Sequence, residues 1–204
     1  MSKVHFEEKV KKALYESADV KRCVAKTCTE NIVRAAELVA VAFKNGNKLL
    51  LCGNGGSAAD CQHMATEFTS VLSKDFNRPG LAAIALTTDT SFLTAFANDF
   101  NFEGVFARKI QALGKENDIV IAISTSGNSS NILRAVEEAQ KLNIRTIGLT
   151  GSGGRLKNMV DVAIIVPSTN TQYIQEAHCA IEHIICDLVE NIIFRGGIQN
   201  SQTV

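Results

Sequence analysis

Short apolar runs alternate along this chain with longer stretches in which apolar positions recur every three or four residues. The runs "KLLLC" (48–52), "AAIAL" (82–86), "DIVIAIS" (118–124), "RTIGLT" (145–150) and "VAIIVP" (162–167) show little polar alternation, which predicts strands buried on both faces. Helical spacing between them predicts helices over 57–72, 89–97, 102–113 and 129–142, and a last one over 172–195 before "RGG" and a polar tail. Two further helices, 4–18 and 21–44, precede the first strand. The second carries Ile32, Val33, Ala36, Val39, Ala40 and Phe43 and stops at "KNGNK". "SKDFNRPG" and "GSGGR" read as loops.

Strands of this kind alternating with helices imply an α/β fold, a doubly wound five-stranded parallel sheet with two extra N-terminal helices. The expected organisation is one domain over 1–204, with the leading helices at about 4–44 and the α/β core at about 48–195. Right-handed crossovers put the loops that follow the strands on one edge, where ligands bind. Helix 21–44 is apolar on more than one side, so it is expected to meet another subunit.

Two of those loops are alike. "GNGGS" (53–57) and "STSGNS" (124–129) each join a strand to a helix. The first matches G-x-G-x-x-A with Ala58, but the acidic residue of a dinucleotide site is missing from the end of the next strand, so no nucleotide cofactor is expected. The second is rich in hydroxyls. Backbone N–H groups at a helix start carry partial positive charge, and serine and threonine add donors at low steric cost. Together they can hold a phosphate without lysine. In the helix after the first loop, His63 and Glu67 lie at i and i+4 and share a face, a spacing that serves either a metal or a hydrogen-bonded pair.

The segments "CGNGGSAAD", "QHMATEF", "AIALTTD", "AFANDF", "ISTSGNSSNI", "LTGSGG" and "IQEAHCAIEHIICDLVE" resemble the sugar isomerase (SIS) fold, which is flavodoxin-like, and within it the phosphoheptose isomerases. The resemblance covers essentially the whole sequence. It implies an aldose–ketose isomerase that converts sedoheptulose 7-phosphate to D-glycero-D-manno-heptose 7-phosphate, the start of heptose synthesis for bacterial surface polysaccharide. It further implies that Ser124, Thr125, Ser126 and Ser129 hold the phosphate, and that Asn54, Gly55, Gly56, Ser57, Asn98, Asp99 and Gln175 contact substrate. Glu67 and His183 would be the catalytic pair, with Glu67 also touching substrate. A zinc ion, one per subunit, would be held by His63, Glu67, Gln175 and His183. The partners implied are a phosphorylated seven-carbon sugar and further copies of the chain, as a homotetramer with shared sites.

Two alternatives share the fold. A non-catalytic adaptor that binds the replication initiator DnaA lacks the glutamate and histidine that this chain keeps at positions 67 and 183. An isomerase of another phosphosugar would use related loops. The last helix raises a difficulty of its own: Gln175 and His183 are eight residues apart, about 12 Å along the axis and roughly 80° around it. Helical geometry instead groups Gln175, His178 and Glu182, which makes His178 a rival to His183.

Bulk properties narrow the partners. There are 21 Lys and Arg against 21 Asp and Glu, so nothing favours a general nucleic-acid binder. No run approaches 18 apolar residues, so no membrane span is expected. The charged N-terminus lacks an apolar signal core and points to a cytoplasmic protein. Six cysteines without a CxxC pair are expected to be reduced, most of them buried.

Overall fold

The computed structural model describes residues 3–196. The strands β1 (Leu49–Cys52), β2 (Ala83–Ala85), β3 (Ile119–Ser124), β4 (Arg145–Thr150) and β5 (Val162–Ile165) form one sheet in the order β2-β1-β3-β4-β5. All four pairings are parallel. The helices are α1 (Lys3–Thr27), α2 (Thr29–Lys44), α3 (Gly56–Thr69), α4 (Thr90–Asp99), α5 (Val105–Leu113), α6 (Ser130–Lys141) and α7 (Thr171–Phe194). The expected doubly wound sheet is therefore present.

Side chains alternate across the sheet as the pleat requires. Leu49, Leu51, Ile121, Ile123, Ile147 and Leu149 join α2, α3 and α7 in one core layer. Leu50, Cys52, Val120 and Ala122 join α5 and α6 in the other. Both layers exclude water, which is why the strands read as unbroken apolar runs. The strand order reverses at β1 and β3, which opens a crevice at their C-terminal ends. The two glycine- and serine-bearing loops leave from those two ends.

Several boundaries differ from the sequence expectation, among them α4, which runs to Asp99 rather than 97, and α5, which begins at Val105 rather than 102. The leading helix does not break near residue 19 but continues to Thr27. Ser17 and Asp19 look like capping residues, yet Ser17 Oγ donates to Glu176 on α7 and Asp19 pairs with Arg22 one turn on. The break comes at Cys28, flanked by Thr27 Oγ1 donating to Cys23 O (3.0 Å) and Thr29 Oγ1 donating to Ala25 O (2.8 Å). Such back-bonding bends helices. Helix α3 ends at Thr69 rather than Leu72, because Arg78 intercepts its last carbonyls: Nη1 donates to Phe68 O (2.8 Å) and Nη2 to Glu67 O (2.6 Å). The last helix ends at Phe194, one residue early, and the polar tail lies outside the described residues.

Candidate active site

Ser124 closes β3 and is buried at the mouth of the crevice. Its Oγ lies 3.1 Å from Ser129 Oγ and 3.5 Å from Ser126 Oγ, so three hydroxyls converge. Ser129 is the N-cap of α6, yet its side chain makes no capping bond. An N-cap serine ordinarily accepts from the first turn. Here the hydroxyl turns into the loop instead, and the amides at the start of α6 stay available to an anion.

The loop is held from behind. Gly127 has φ +65°, and its carbonyl accepts from Arg155 N (2.9 Å) and Leu156 N (3.0 Å). Thr125 O accepts from Gly151 N (3.2 Å), and Asn128 Oδ1 from Arg155 N (3.1 Å). A Cβ on Gly154, itself at φ +77°, would strike Ser126 O. The "GSGGR" loop is thus a backing plate for the 124–129 loop.

The first loop is tied to the second. Asn54 Nδ2 donates to Asn131 Oδ1 (2.9 Å), and Asn131 Nδ2 returns a bond to Asn54 Oδ1 (2.8 Å). The Asn54 side chain is thereby engaged within the protein. Gly55 is the N-cap of α3 at φ +54°. Ser57 is buried in the first turn, and Gly56 lies so close to the Gln175 carboxamide that any Cβ there would collide with it.

Further along α3, His63 meets His183 of α7. Their Nε2 atoms are 2.9 Å apart, with the rings edge to face at 75°. Glu67 Oε1 lies 3.6 Å from His63 Nε2. Cys179 Sγ lies 4.0 Å from His183 Nδ1. Among the described residues, His63, Cys179 and His183 form a possible metal group, with one donor atom of each within 4.8 Å of the others. Asn98 and Asp99 stand apart at the exposed end of α4, bonded to each other at 2.9 Å.

The two rival histidines are separated by burial. His178 is fully buried, and neither ring nitrogen has a well-formed hydrogen bond. Burial lowers its pKa to about 4, with the Thr150 backbone opposing that drop. It is a neutral core imidazole, whereas His183 faces His63. One turn on, Glu182 is also buried without a partner; burial and then the Asp60 charge raise its pKa to about 9. Asp60 is raised by burial, against a hydrogen bond from Gln175 and the charge of His63.

Sequence reasoning missed Asp60 and Cys179. Asp60 stands three residues before His63, and Cys179 four before His183, which are helical-neighbour spacings that carried a signal. Helical geometry places Glu182 on one face with Gln175 and His178, but does not announce its burial.

The SIS domain family model matches residues 14–151. The phosphoheptose isomerase of Roseiflexus sp. is 51% identical over 179 residues, covering 87% of this chain and 90% of that protein. Phosphoheptose isomerase 2 of Campylobacter jejuni is 54% identical over 173 residues, 84% of this chain and 85% of its own length. The structure of phosphoheptose isomerase from Neisseria gonorrhoeae superimposes with a TM-score of 0.86 at 43% identity, covering 91% of this chain and 99% of that one. At these identities and coverages, and with the family model matching more than half of it, the chain belongs to the phosphoheptose isomerase family of SIS-domain proteins.

Proposed function

We propose that this chain interconverts sedoheptulose 7-phosphate and D-glycero-D-manno-heptose 7-phosphate, supplying heptose for surface polysaccharide. The observation that carries this reading is the convergence of Ser124, Ser126 and Ser129 at the strand-order switch, in a fold that also sets Glu67 beside His63 and His183. The serines, Thr125 and the first amides of α6 bind the phosphate. The backbone of Asn54 and Gly55, with Gly56 and Ser57, lines the sugar side, joined by Gln175, Asn98 and Asp99.

Glu67 takes the proton from C1 of the open-chain ketose, and the electron pair moves to form the C1–C2 double bond. His183 gives a proton to the C2 oxygen, producing the enediol. It then removes the proton from the C1 hydroxyl as Glu67 returns its proton to C2, which leaves the aldose. Every proton is accounted for, and no redox partner is consumed.

The donor set also fits zinc. Two imidazole nitrogens on a tetrahedral ion, with bonds of about 2.0 Å, stand about 3.3 Å apart, close to the His63–His183 separation of 2.9 Å. His63, Glu67 and His183 would hold the ion, with Gln175 as the fourth donor that the resemblance implies. A bound zinc would polarise the substrate carbonyl and hydroxyl oxygens.

Shared sites in a homotetramer are part of the same proposal. Glu67 is eleven residues beyond Gly56, so about 16 Å down the helix from the first loop. That favours a neighbouring copy supplying one half of each site. Val10, Leu14 and Phe100 are exposed apolar side chains on α1 and just after α4 that such a copy would cover. Among the described residues no helix is long and apolar enough to cross a membrane, and all six cysteines are free.

Glu67→Gln tests the reading. It keeps shape and removes the base, so turnover of sedoheptulose 7-phosphate should fall by about a hundredfold or more, while the substrate still protects the protein against thermal unfolding. Turnover at the wild-type rate would refute the assignment.

A further inference from the structure

Residues 53–56 read Gly-Asn-Gly-Gly, so Asn54 carries the only side chain of the turn that follows β1. Glycine backbone leaves such a turn a freedom that contacts elsewhere must remove. Gly55 stands at φ +54°, in the left-handed region. What the Asn54 side chain meets therefore decides where this turn sits beside the one after β3.

It meets Asn131, 77 residues on, through two bonds of 2.9 and 2.8 Å that run in opposite directions. Asn131 is the second residue of α6, two positions beyond Ser129, and is the one carboxamide buried among the described residues. An asparagine close to a helix start commonly bonds to nearby backbone. This one spends its oxygen and an N–H on Asn54 instead. Burying a carboxamide costs free energy unless its bonds are made, so the pair holds one arrangement. Turning either amide over would set donor against donor and acceptor against acceptor. Asn54 is only half-buried, and its second N–H is unspent.

We propose that Asn131 is a positioning residue for the isomerisation. It acts through Asn54, holding the sugar-lining turn in register with the phosphate-binding one, so that the carbons that exchange a proton are presented to the base. This inference rests on the phosphosugar reading above. Phosphate binding does not need the Asn131 side chain, because the hydroxyls of Ser124, Ser126 and Ser129 and the first amides of α6 are separate from it. Asn131 thus serves the alignment of a bound substrate, which is read in kcat, and not the grip on it, which is read in KM.

The test compares the full-length wild type with Asn131→Ala, Asn54→Ala and the double variant. Steady-state kinetics with sedoheptulose 7-phosphate give kcat and KM, and competition by inorganic phosphate reports the phosphate turn alone. Asn131→Ala should lower kcat by about tenfold or more, since small misplacements of reacting atoms cost up to about a hundredfold. KM and the phosphate inhibition constant should stay close to wild type. The double variant should be no slower than Asn54→Ala, because its second change removes a partner already lost. A residue that only stabilises the fold would lower the melting temperature and leave kcat of the folded enzyme unchanged, which overturns the proposal. A raised phosphate inhibition constant with kcat unchanged overturns it too, by placing Asn131 in the phosphate grip. Losses that multiply in the double variant separate Asn131 from Asn54 and overturn it as well. If Asn131→Ala does not fold, Asn131→Ser, whose hydroxyl is too short to make both bonds, carries the same expectations. A wild type that binds phosphate yet leaves sedoheptulose 7-phosphate unchanged overturns the phosphosugar reading, and this inference with it.

Discussion

His178 and His183 share a helix and have opposite environments, and the difference is measurable. In the unfolded chain His178 titrates at its ordinary value near 6.5; in the fold it titrates at about 4. The folded state therefore binds fewer protons between those values, so the contribution of His178 is intact above about pH 6.5 and is lost as pH falls toward 4. Glu182 acts in the opposite sense: its folded value of about 9 means that stability falls as pH rises from about 4.5. The two nearly cancel in the wild type on the acid side, and a variant separates them. Relative to His178→Leu, the wild type should lose roughly 2 kcal/mol between pH 6.5 and pH 5, at about 1.4 kcal/mol per unit. Urea denaturation of both proteins at the two pH values measures it, and a constant difference would place the imidazole in contact with water. At the phosphate loop, Ser126→Ala should raise KM several-fold with kcat little changed, because a group that only grips phosphate binds ground and transition states alike. Steady-state kinetics with sedoheptulose 7-phosphate decides this; an equal fall in kcat would give the hydroxyl a role in the reaction itself.

Among the elements, α3 carries both His63 and Glu67, and its end is set by a residue nine positions beyond it. Arg78 holds three backbone carbonyls there besides Glu67 O, and its Nε donates to Glu190 on α7 at 2.6 Å. Both charged side chains are almost wholly buried. Arg78→Ala should cost about 3–5 kcal/mol, because it strands the Glu190 carboxylate as well as the carbonyls. Chemical denaturation would register it, and a loss under 1 kcal/mol would mean that water replaces the guanidinium. That the strands were legible and this helix end was not has one physical cause. Unbroken apolar runs such as 118–124 report burial directly, and the loops at 53–57 and 124–129 announce themselves by glycine and serine. Arg78 sits in "SKDFNRPG", which has the composition of an exposed loop, and only tertiary packing shows that its side chain turns inward. Ser17 misleads in the reverse direction: its hydroxyl looks local and serves another helix.

At the level of the whole molecule, Phe92 and Phe96 of α4 pack against the second core layer, but Phe100, just beyond that helix and stacked on Phe96 at 4.8 Å, is exposed. Helix α1 likewise exposes Phe6, Val10, Leu14 and Tyr15. Apolar surface of that extent calls for cover, and an assembly with divided sites has a distinctive signature. Glu67→Gln and a Ser124→Ala/Ser126→Ala double variant, each strongly impaired alone at substrate well below the double variant's KM, should regain activity when unfolded together and refolded as mixed assemblies. Mixtures no more active than their parents would confine each site to one copy. The proposed division also marks the limit of the sequence: residues of one site can be recognised from motifs, but which copy would contribute each of them depends on contacts that no single chain contains.

The reciprocal carboxamides of Asn54 and Asn131 give the two turns a fixed gauge. Neither turn can open without breaking a bond to the other, so the span between the proposed phosphate and sugar contacts is set before any ligand arrives. Molecules of different length are then sorted by fit to a rigid template, and a carbon too few or too many is penalised in binding rather than absorbed by backbone movement.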